Sequence, residues 1–264
     1  MRSIQPLQEK KLGVSIVMAV RDNLEWTRKG IESIHAHTVH PYELILVDNA
    51  SNPETAAYLK DVADVLIRNE ENVGCAAAWN QGIAAGTYSH VCVVNNDIEV
   101  PPGWLADLVH ILDSSDYVMV SPIIREGDLD YDLVSYGKEV AKKLGNRDFP
   151  SEYRGIAMLT LRGLYEDLGG YDEAYKIGKY EDEDMFMRIR KAGKNVTTTS
   201  QVLLHHYGSK TVNAEKTVAT FDFEKANRKT FLSKWKFRYV HRKLRKFKIR
   251  FRQKRIQSRF GLTY

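Results

Sequence analysis

At 264 residues, with 43% hydrophobic and 28% charged content, the chain has the composition of a soluble globular protein, long enough for one large α/β domain or two small ones. Its net charge of +5 hides an asymmetry: residues 225–264 hold sixteen Lys or Arg and no Asp or Glu, whereas residues 1–224 hold 23 basic and 34 acidic groups. An acidic body argues against a nucleic-acid-binding core, two cysteines without metal-ligand spacing (Cys75, Cys92) argue for a reducing compartment over a disulfide scaffold, and no secretory leader or membrane span is visible.

Gly13 to Val20 is an apolar run that predicts a strand closing at Arg21-Asp22-Asn23. Leu24, Ile31 and Ile34 then fall on one helix face. Residues 42–47 predict a second strand, ending at Asp48-Asn49-Ala50-Ser51-Asn52. Pro53 suits the first turn of the next helix, with Ser51 or Asn52 as its cap. A short strand at 65–67 leads through Asn69 and Asn72 to Gly74 and a helix of small residues, Cys75 to Ala85. Val91-Cys-Val-Val-Asn-Asn-Asp97 is a buried strand that stops abruptly in two amides and a carboxylate. This alternation predicts a parallel, doubly wound sheet. Parallel strands end on one edge, so Arg21-Asp22, Asp48-Asn49 and Asn95-Asn96-Asp97 are expected around one polar crevice. Gly74 and the alanines after it fit either close approach of a phosphate to a helix N-terminus or tight helix–sheet packing. The Walker and dinucleotide glycine motifs are absent, which weakens kinase and dehydrogenase readings.

Further on, a helix is expected from Trp104 to Ser114 and a strand at 117–122; the polar stretch 125–153 that follows reads as a mobile loop or a small subdomain, with a plain surface excursion favoured. A strand at 155–162 and a short helix to Gly169 precede Tyr180-Glu181-Asp182-Glu183-Asp184. Carboxylates at a helix start are favoured by its dipole, but four together repel, and one is expected to have a raised pKa and to serve as a general base. The last strand ends at His205-His206. Side chains alternate along a strand, so only one of the two faces the site, where with Asp97 it would bind Mg²⁺ or Mn²⁺ jointly with a diphosphate.

Taken in order, Val14-Ser-Ile-Val-Met-Ala-Val-Arg-Asp-Asn23, Glu43-Leu-Ile-Leu-Val-Asp-Asn-Ala-Ser51, Asn72-x-Gly-x-Ala-x-Ala-x-Asn80-x-Gly82, Asn95-Asn-Asp97, Gly169-Gly-Tyr-Asp-Glu173 with Glu181-Asp-x-Asp184, and His206-x-Gly-Ser209 resemble a family 2, GT-A-fold glycosyltransferase over roughly residues 12–212. The resemblance implies a Rossmann-like, mostly parallel sheet flanked by helices, and inverting transfer of a sugar from a UDP- or dTDP-type donor to a glycan or lipid-linked acceptor hydroxyl in cell-surface polysaccharide or glycoconjugate synthesis. It assigns Ala19, Arg21 and Asp48 to the base and ribose, and Asn72, Gly74 and Asn80 to the nucleotide side. Asn95 and Asn96 are expected among the donor-binding residues as neutral hydrogen-bonding groups beside Asp97, Asp97 and His206 would hold a divalent Mn²⁺ or Mg²⁺, and Asp182 is the catalytic base with Glu181 in reserve. Asn95 departs from the family's first metal-binding aspartate and leaves fewer charged ligands.

The expected organisation is a glycosyltransferase domain at 1–215, with a nucleotide half over about 12–122 and an acceptor half over about 150–212, followed by a basic amphipathic helical tail at 216–264. Leu232, Trp235 and Tyr239 fall on helical spacing among the basic residues. That pattern reads as an anionic-membrane contact on a cytoplasmic enzyme, peripheral on the inner face of the membrane, with a helix docked on the acidic body as the other reading. The rival activities are a nucleotidyltransferase using the same crevice and a nucleic-acid-binding protein acting through the tail. The acidic body speaks against a nucleic-acid partner.

Overall fold

A computed structural model of the chain describes residues 11–153, 155–208 and 222–236. In chain order its elements are β1 (Lys11–Val20), α1 (Leu24–His37), β2 (Tyr42–Asn49), α2 (Pro53–Val62), β3 (Val65–Asn69), α3 (Cys75–Ala85), β4 (Tyr88–Val94), β5 (Ile98–Glu99), α4 (Trp104–Asp113), β6 (Tyr117–Glu126), α5 (Leu133–Leu144), β7 (Asp148–Pro150), β8 (Ala157–Leu161), α6 (Arg162–Leu168), α7 (Glu181–Lys191) and β9 (Asn195–His206). One sheet runs in the order β3-β2-β1-β4-β8-β6-β9-β5, with β7 added against β9. The helix starting at Pro53 is capped by Asn52, whose side chain accepts the Thr55 N–H at 2.9 Å.

Side-chain alternation along β1 divides the core into two layers. Val14, Ile16, Met18 and Val20 pack with α1 and α4 through Ile31, Ile34, Trp104 and Leu108. Val17 points the other way, into a layer with Trp79 and Ile83 of α3 and with Met185, Phe186 and Ile189 of α7. Because both faces are covered, the strands carry continuous apolar runs.

The sheet is parallel from β3 to β4, as the strand–helix alternation predicts. Beyond β4 it is mixed: β8 runs antiparallel to both β4 and β6, β9 is parallel to β6, and β5 and β7 are antiparallel to β9. Apolar periodicity reports burial and carries no strand direction, so this half departs from a uniformly parallel reading.

The stretch 125–153, expected as a surface excursion, is built. Asp132 caps α5 by accepting the Ser135 N–H at 2.7 Å, and Val140 and Leu144 of that helix form a small cluster with Ile123 and Leu203. β7 then pairs with β9. At the same place the β6–β9 ladder slips: Pro122 faces Thr199, but Ile123 faces Leu203 in place of Ser200. Arg147 holds this bulge, its N–H donating to Ser200 Oγ and its carbonyl accepting the Ser200 N–H, both at 2.8 Å.

Residues 222–236 are helical and lie on the α7 side of the body. Asn227, Phe231 and Trp235, at four-residue spacing, form the buried stripe, and the last two join the α3–α7 layer. Trp235 Nε1 donates to Asp184 Oδ1 at 2.8 Å. The same carboxylate accepts from Tyr175 Oη at 3.0 Å, and its other oxygen from Arg188 Nε at 2.8 Å. Tyr239 and the rest of the basic tail lie outside the described residues. Phe231 is fully buried. Phe231→Ala should cost about 3–5 kcal/mol of stability in urea unfolding followed by tryptophan fluorescence, and a loss under about 1 kcal/mol would mean this helix is not part of the core.

Candidate active site

A cavity of about 330 Å³ opens at the carboxyl ends of β1, β2 and β4. Ala19, Val20 and Arg21 line it from β1, Asn49 from β2, Asn95, Asn96 and Asp97 from the turn after β4, and Asn72, Cys75 and Trp79 from around α3. Gly155, Ile156, Ile177, Gly178, Lys179, Glu181 and Asp182 form the facing wall, with Phe223 and Glu224 of the C-terminal helix at its edge. Each of the three polar strand ends sends residues to the cavity, Arg21, Asn49 and Asn95 to Asp97, while Asp22 and Asp48 do not line it.

Of the expected nucleotide-side residues, Ala19, Arg21, Asn72, Asn95 and Asn96 border this cavity. Asn72 is held by Asn49 Nδ2 at 2.7 Å and by the Gly74 N–H at 2.9 Å, both donating to its Oδ1. Asn96 donates to Thr27 Oγ1 at 2.8 Å, pinning the turn to α1. The other three expected residues stand behind the wall. Asp48 is fully buried, accepts the Ser51 N–H at 2.8 Å and pairs with Arg68. Alternation at the end of β2 turns Asn49, not Asp48, toward the cavity. Asn80 accepts the Tyr171 N–H at 2.7 Å and donates to Tyr171 O and Glu173 Oε1, both at 2.9 Å, clamping α3 to the turn after α6. Gly74, at φ +88°, packs against a neighbouring loop; a Cβ there would sit 2.9 Å from Ile177 N. The Cys75 N–H donates to Ile177 O at 2.9 Å, so part of the α3 N-terminus is satisfied by the protein itself.

Asp97 and His206 come together. Both are buried, and His206 Nε2 lies 3.1 Å from Asp97 Oδ1 and 3.5 Å from Asn95 Nδ2. The second ring nitrogen of His206 is 3.2 Å from Glu126 Oε1. Burial alone would lower the pKa of His206, but the two carboxylates outweigh it and the net shift is upward. His205 faces the other way, its Nδ1 2.9 Å from Tyr131 Oη, and burial pushes its pKa down to about 4. Among the described residues no group of three or more His, Cys, Asp or Glu is placed to hold a metal. The donor set of one carboxylate and one imidazole fits a divalent site whose remaining positions are filled by diphosphate oxygens and water.

The four carboxylates of α7 separate by environment. Glu181 and Asp182 line the cavity, while Asp184 is fully buried among Tyr175, Arg188 and Trp235. Asp182 lies over Gly155, where any Cβ would overlap its carboxylate, so only glycine leaves the side chain room. One oxygen of Glu181, Oε2, is buried without a hydrogen-bond partner. Burial, and after it the negative charge of Asp182, push the Glu181 pKa from the ordinary 4.5 up to about 8.

Cys75, Trp79, Gly155, Ile177 to Lys179, Phe223 and Glu224 were not expected as cavity residues. The 176–180 segment has no periodicity to announce it, and the helix at 222–236 reads only as an amphipathic stripe. Linkage follows from the Glu181 shift. The folded state holds that proton more tightly than the unfolded chain, so the stabilisation is full below about pH 4.5 and is lost as pH rises through about 8. Glu181→Gln should therefore match the wild-type Tm at pH 5 and exceed it by several degrees at pH 8.5, at roughly 2–4 °C per kcal/mol for a chain of this size. Equal Tm differences at both pH values would contradict the assignment.

Comparison with known proteins gives a consistent answer. The family profile described as Glycosyl transferase family 2 matches residues 15–175. The O-antigen biosynthesis protein RfbC of Myxococcus xanthus is 24% identical over 227 residues, covering 76% of this chain and 18% of that protein. The pre-mycofactocin glycosyltransferase of Mycobacterium tuberculosis is 25% identical over 204 residues, covering 73% of this chain and 42% of its own length. The chain likewise spans 26% and 57% of further curated relatives from Sinorhizobium fredii and Mycobacterium bovis. The crystal structure of GalNAc-T7 with UDP, GalNAc and Mn²⁺ superimposes with a TM-score of 0.60 at 19% identity, covering 76% of this chain and 44% of that one. The chain belongs to glycosyl transferase family 2 and has the GT-A fold.

Proposed function

We propose that this chain transfers a sugar from a nucleotide-diphosphate donor to an acceptor hydroxyl, with inversion at the anomeric carbon. The observation that carries the reading is that Asp97 and Asp182, far apart in sequence, border one cavity at the carboxyl edge of the parallel strands. Ala19, Arg21 and Asn72 are the residues placed to hold the nucleoside, and Asn95 and Asn96 those nearest the phosphates. Asp97 and His206 would hold Mn²⁺ or Mg²⁺. A divalent ion bound there neutralises charge on the departing diphosphate. The GalNAc-T7 crystal contains UDP and Mn²⁺, which supports a UDP-type donor and that metal. Relatives named for O-antigen biosynthesis and for glycosylation of pre-mycofactocin support an acceptor in cell-surface or glycoconjugate chemistry.

Asp182 is the proposed base. It takes the proton of the acceptor hydroxyl as that oxygen attacks the face of the sugar opposite the leaving group. Glu181, holding its own proton through neutral pH, adds no second negative charge beside the incoming nucleophile. Asp182→Asn should lower transfer by about 10²–10⁴-fold while UDP affinity, measured by calorimetry with Mn²⁺, changes little. Near wild-type turnover in the purified variant would remove Asp182 from this role.

No described helix is long and apolar enough to cross a membrane. We also propose that the basic residues 237–264, outside the described residues, draw the enzyme to anionic lipid and so toward a lipid-linked acceptor on the inner face of the membrane. Each cation near such a surface contributes ~1 kcal/mol. Co-sedimentation with phosphatidylserine-containing vesicles should fall sharply when the chain is ended at residue 236. Equal sedimentation of both forms would dismiss membrane attachment by this segment.

A further inference from the structure

The loop 176–180 forms part of the cavity wall through Ile177, Gly178 and Lys179. Three of its non-glycine residues sit in the left-handed region: Ile177 at φ 61°, Lys179 at 72° and Tyr180 at 77°. Side chains in that region are strained, and a segment with three of them keeps its shape only if its surroundings impose it. The Cys75 N–H on Ile177 O and the Lys179–Glu224 ion pair each hold one point of the loop, and one side chain from outside the family-matched residues 15–175 spans three of its peptide units. Asn227, 2% exposed, accepts the Lys176 N–H at 3.1 Å through Oδ1. Its amide nitrogen lies 2.8 Å from Lys176 O, 2.9 Å from Gly178 O and 3.2 Å from Lys179 O. A carboxamide, with acceptor and donors on one planar group, matches this set; a carboxylate has no donor to offer the carbonyls.

The clamp has a rigid base and a defined load. Phe231 and Trp235 fix the helix into the core one and two turns beyond Asn227. On the other side the loop meets the donor half of the cavity, with Ile177 O accepting the Cys75 N–H. A Cβ on Gly178 would lie 3.5 Å from Cys75 Sγ, so the loop packs against one side of that thiol, which borders the cavity on the other.

We propose that Asn227 is a positioning residue of the cavity: through the backbone of 176–180 it sets the wall that closes over the first turn of α3 and carries Lys179 to the cavity edge. The identity of the cavity's ligand rests on the glycosyl-transfer reading; the positioning itself does not.

The two cysteines supply a readout independent of activity. Cys75 is half-buried against the loop, whereas Cys92 is fully buried in β4 and reports general loosening. In the full-length protein, iodoacetamide labelling of each cysteine is followed by peptide mass spectrometry in wild type, Asn227→Ala and the milder Asn227→Ser. Release of the loop should raise the Cys75 rate roughly fivefold to tenfold with Cys92 unchanged, as a local opening would. An unchanged Cys75 rate overturns the proposal. So does a parallel rise at both cysteines, or failure of both variants to fold, since Asn227 would then hold the fold as a whole and not this wall. A separate arm adds UDP with Mn²⁺ to the wild type, where slower Cys75 labelling is expected. If UDP gives no protection while the Asn227 pattern holds, the nucleotide reading falls and the positioning role stands.

Discussion

The site depends on three neighbouring strands, β2, β1 and β4, that run parallel and stop at one edge of the sheet. Their apolar bodies fix them in a two-sided core, and their polar ends must then find partners close to that core, where an unmatched polar group is costly. Most of that demand is met internally. Asp48 takes Arg68 and the Ser51 N–H, and Asn49 accepts the Val73 N–H at 3.0 Å, while Asn96 binds Thr27. These bonds shape the loops. Turned toward the opening are Arg21, which also donates to Asn49 O at 3.4 Å, Asn95, and Asp97 with His206 beside it.

The opposite wall solves a different electrostatic problem. A run of four acids at the start of α7 would be self-repelling if all were ionised in one place. The fold distributes them: Asp184 is neutralised in the interior by Arg188 and Lys234 and hydrogen-bonded by Tyr175 and Trp235, whereas Glu181 answers burial by keeping its proton. Arg188 also donates to Leu168 O and Gly170 O, at 2.9 and 2.7 Å. A single buried carboxylate thereby ties α7, the turn after α6 and the C-terminal helix into one unit, which leaves Asp182 fixed at the surface of the cavity.

Much of this was readable in the chain itself, for identifiable reasons. Strands β1, β2 and β4 are long apolar runs with abrupt polar ends, and such runs announce both the strand and the edge where it stops. Residues 75–85 gave their helix through small-residue composition and the flanking glycines. Where reading failed, the missing information was relational. Whether Asp48 or Asn49 meets the cavity depends on the parity of β2, which the residue types do not reveal. Asn80 has the composition of a ligand contact but clamps a loop that arrives from residue 171. The direction of β8 and the buried stripe of Asn227, Phe231 and Trp235 are likewise set by distant packing partners.

The slipped ladder at Ser200 carries a consequence of its own. From Met119 to Pro122 the pairing of β6 with β9 follows one offset, and from Ile123 onward it follows another three residues further along. Three is odd, and strand side chains alternate with a period of two, so the slip inverts which face every later residue of β9 presents. Continued in the first register, the strand would have brought Leu203 opposite Glu126; as folded it brings His206 there, with its imidazole beside Asp97. The polarity of the two terminal histidines is thus decided some 20 Å away (six residues at about 3.3 Å each) by how much chain is spooled out against Arg147. The unassuming segment that includes α5 and β7 packs where that length is set, so a region remote from the cavity bears on which imidazole meets Asp97.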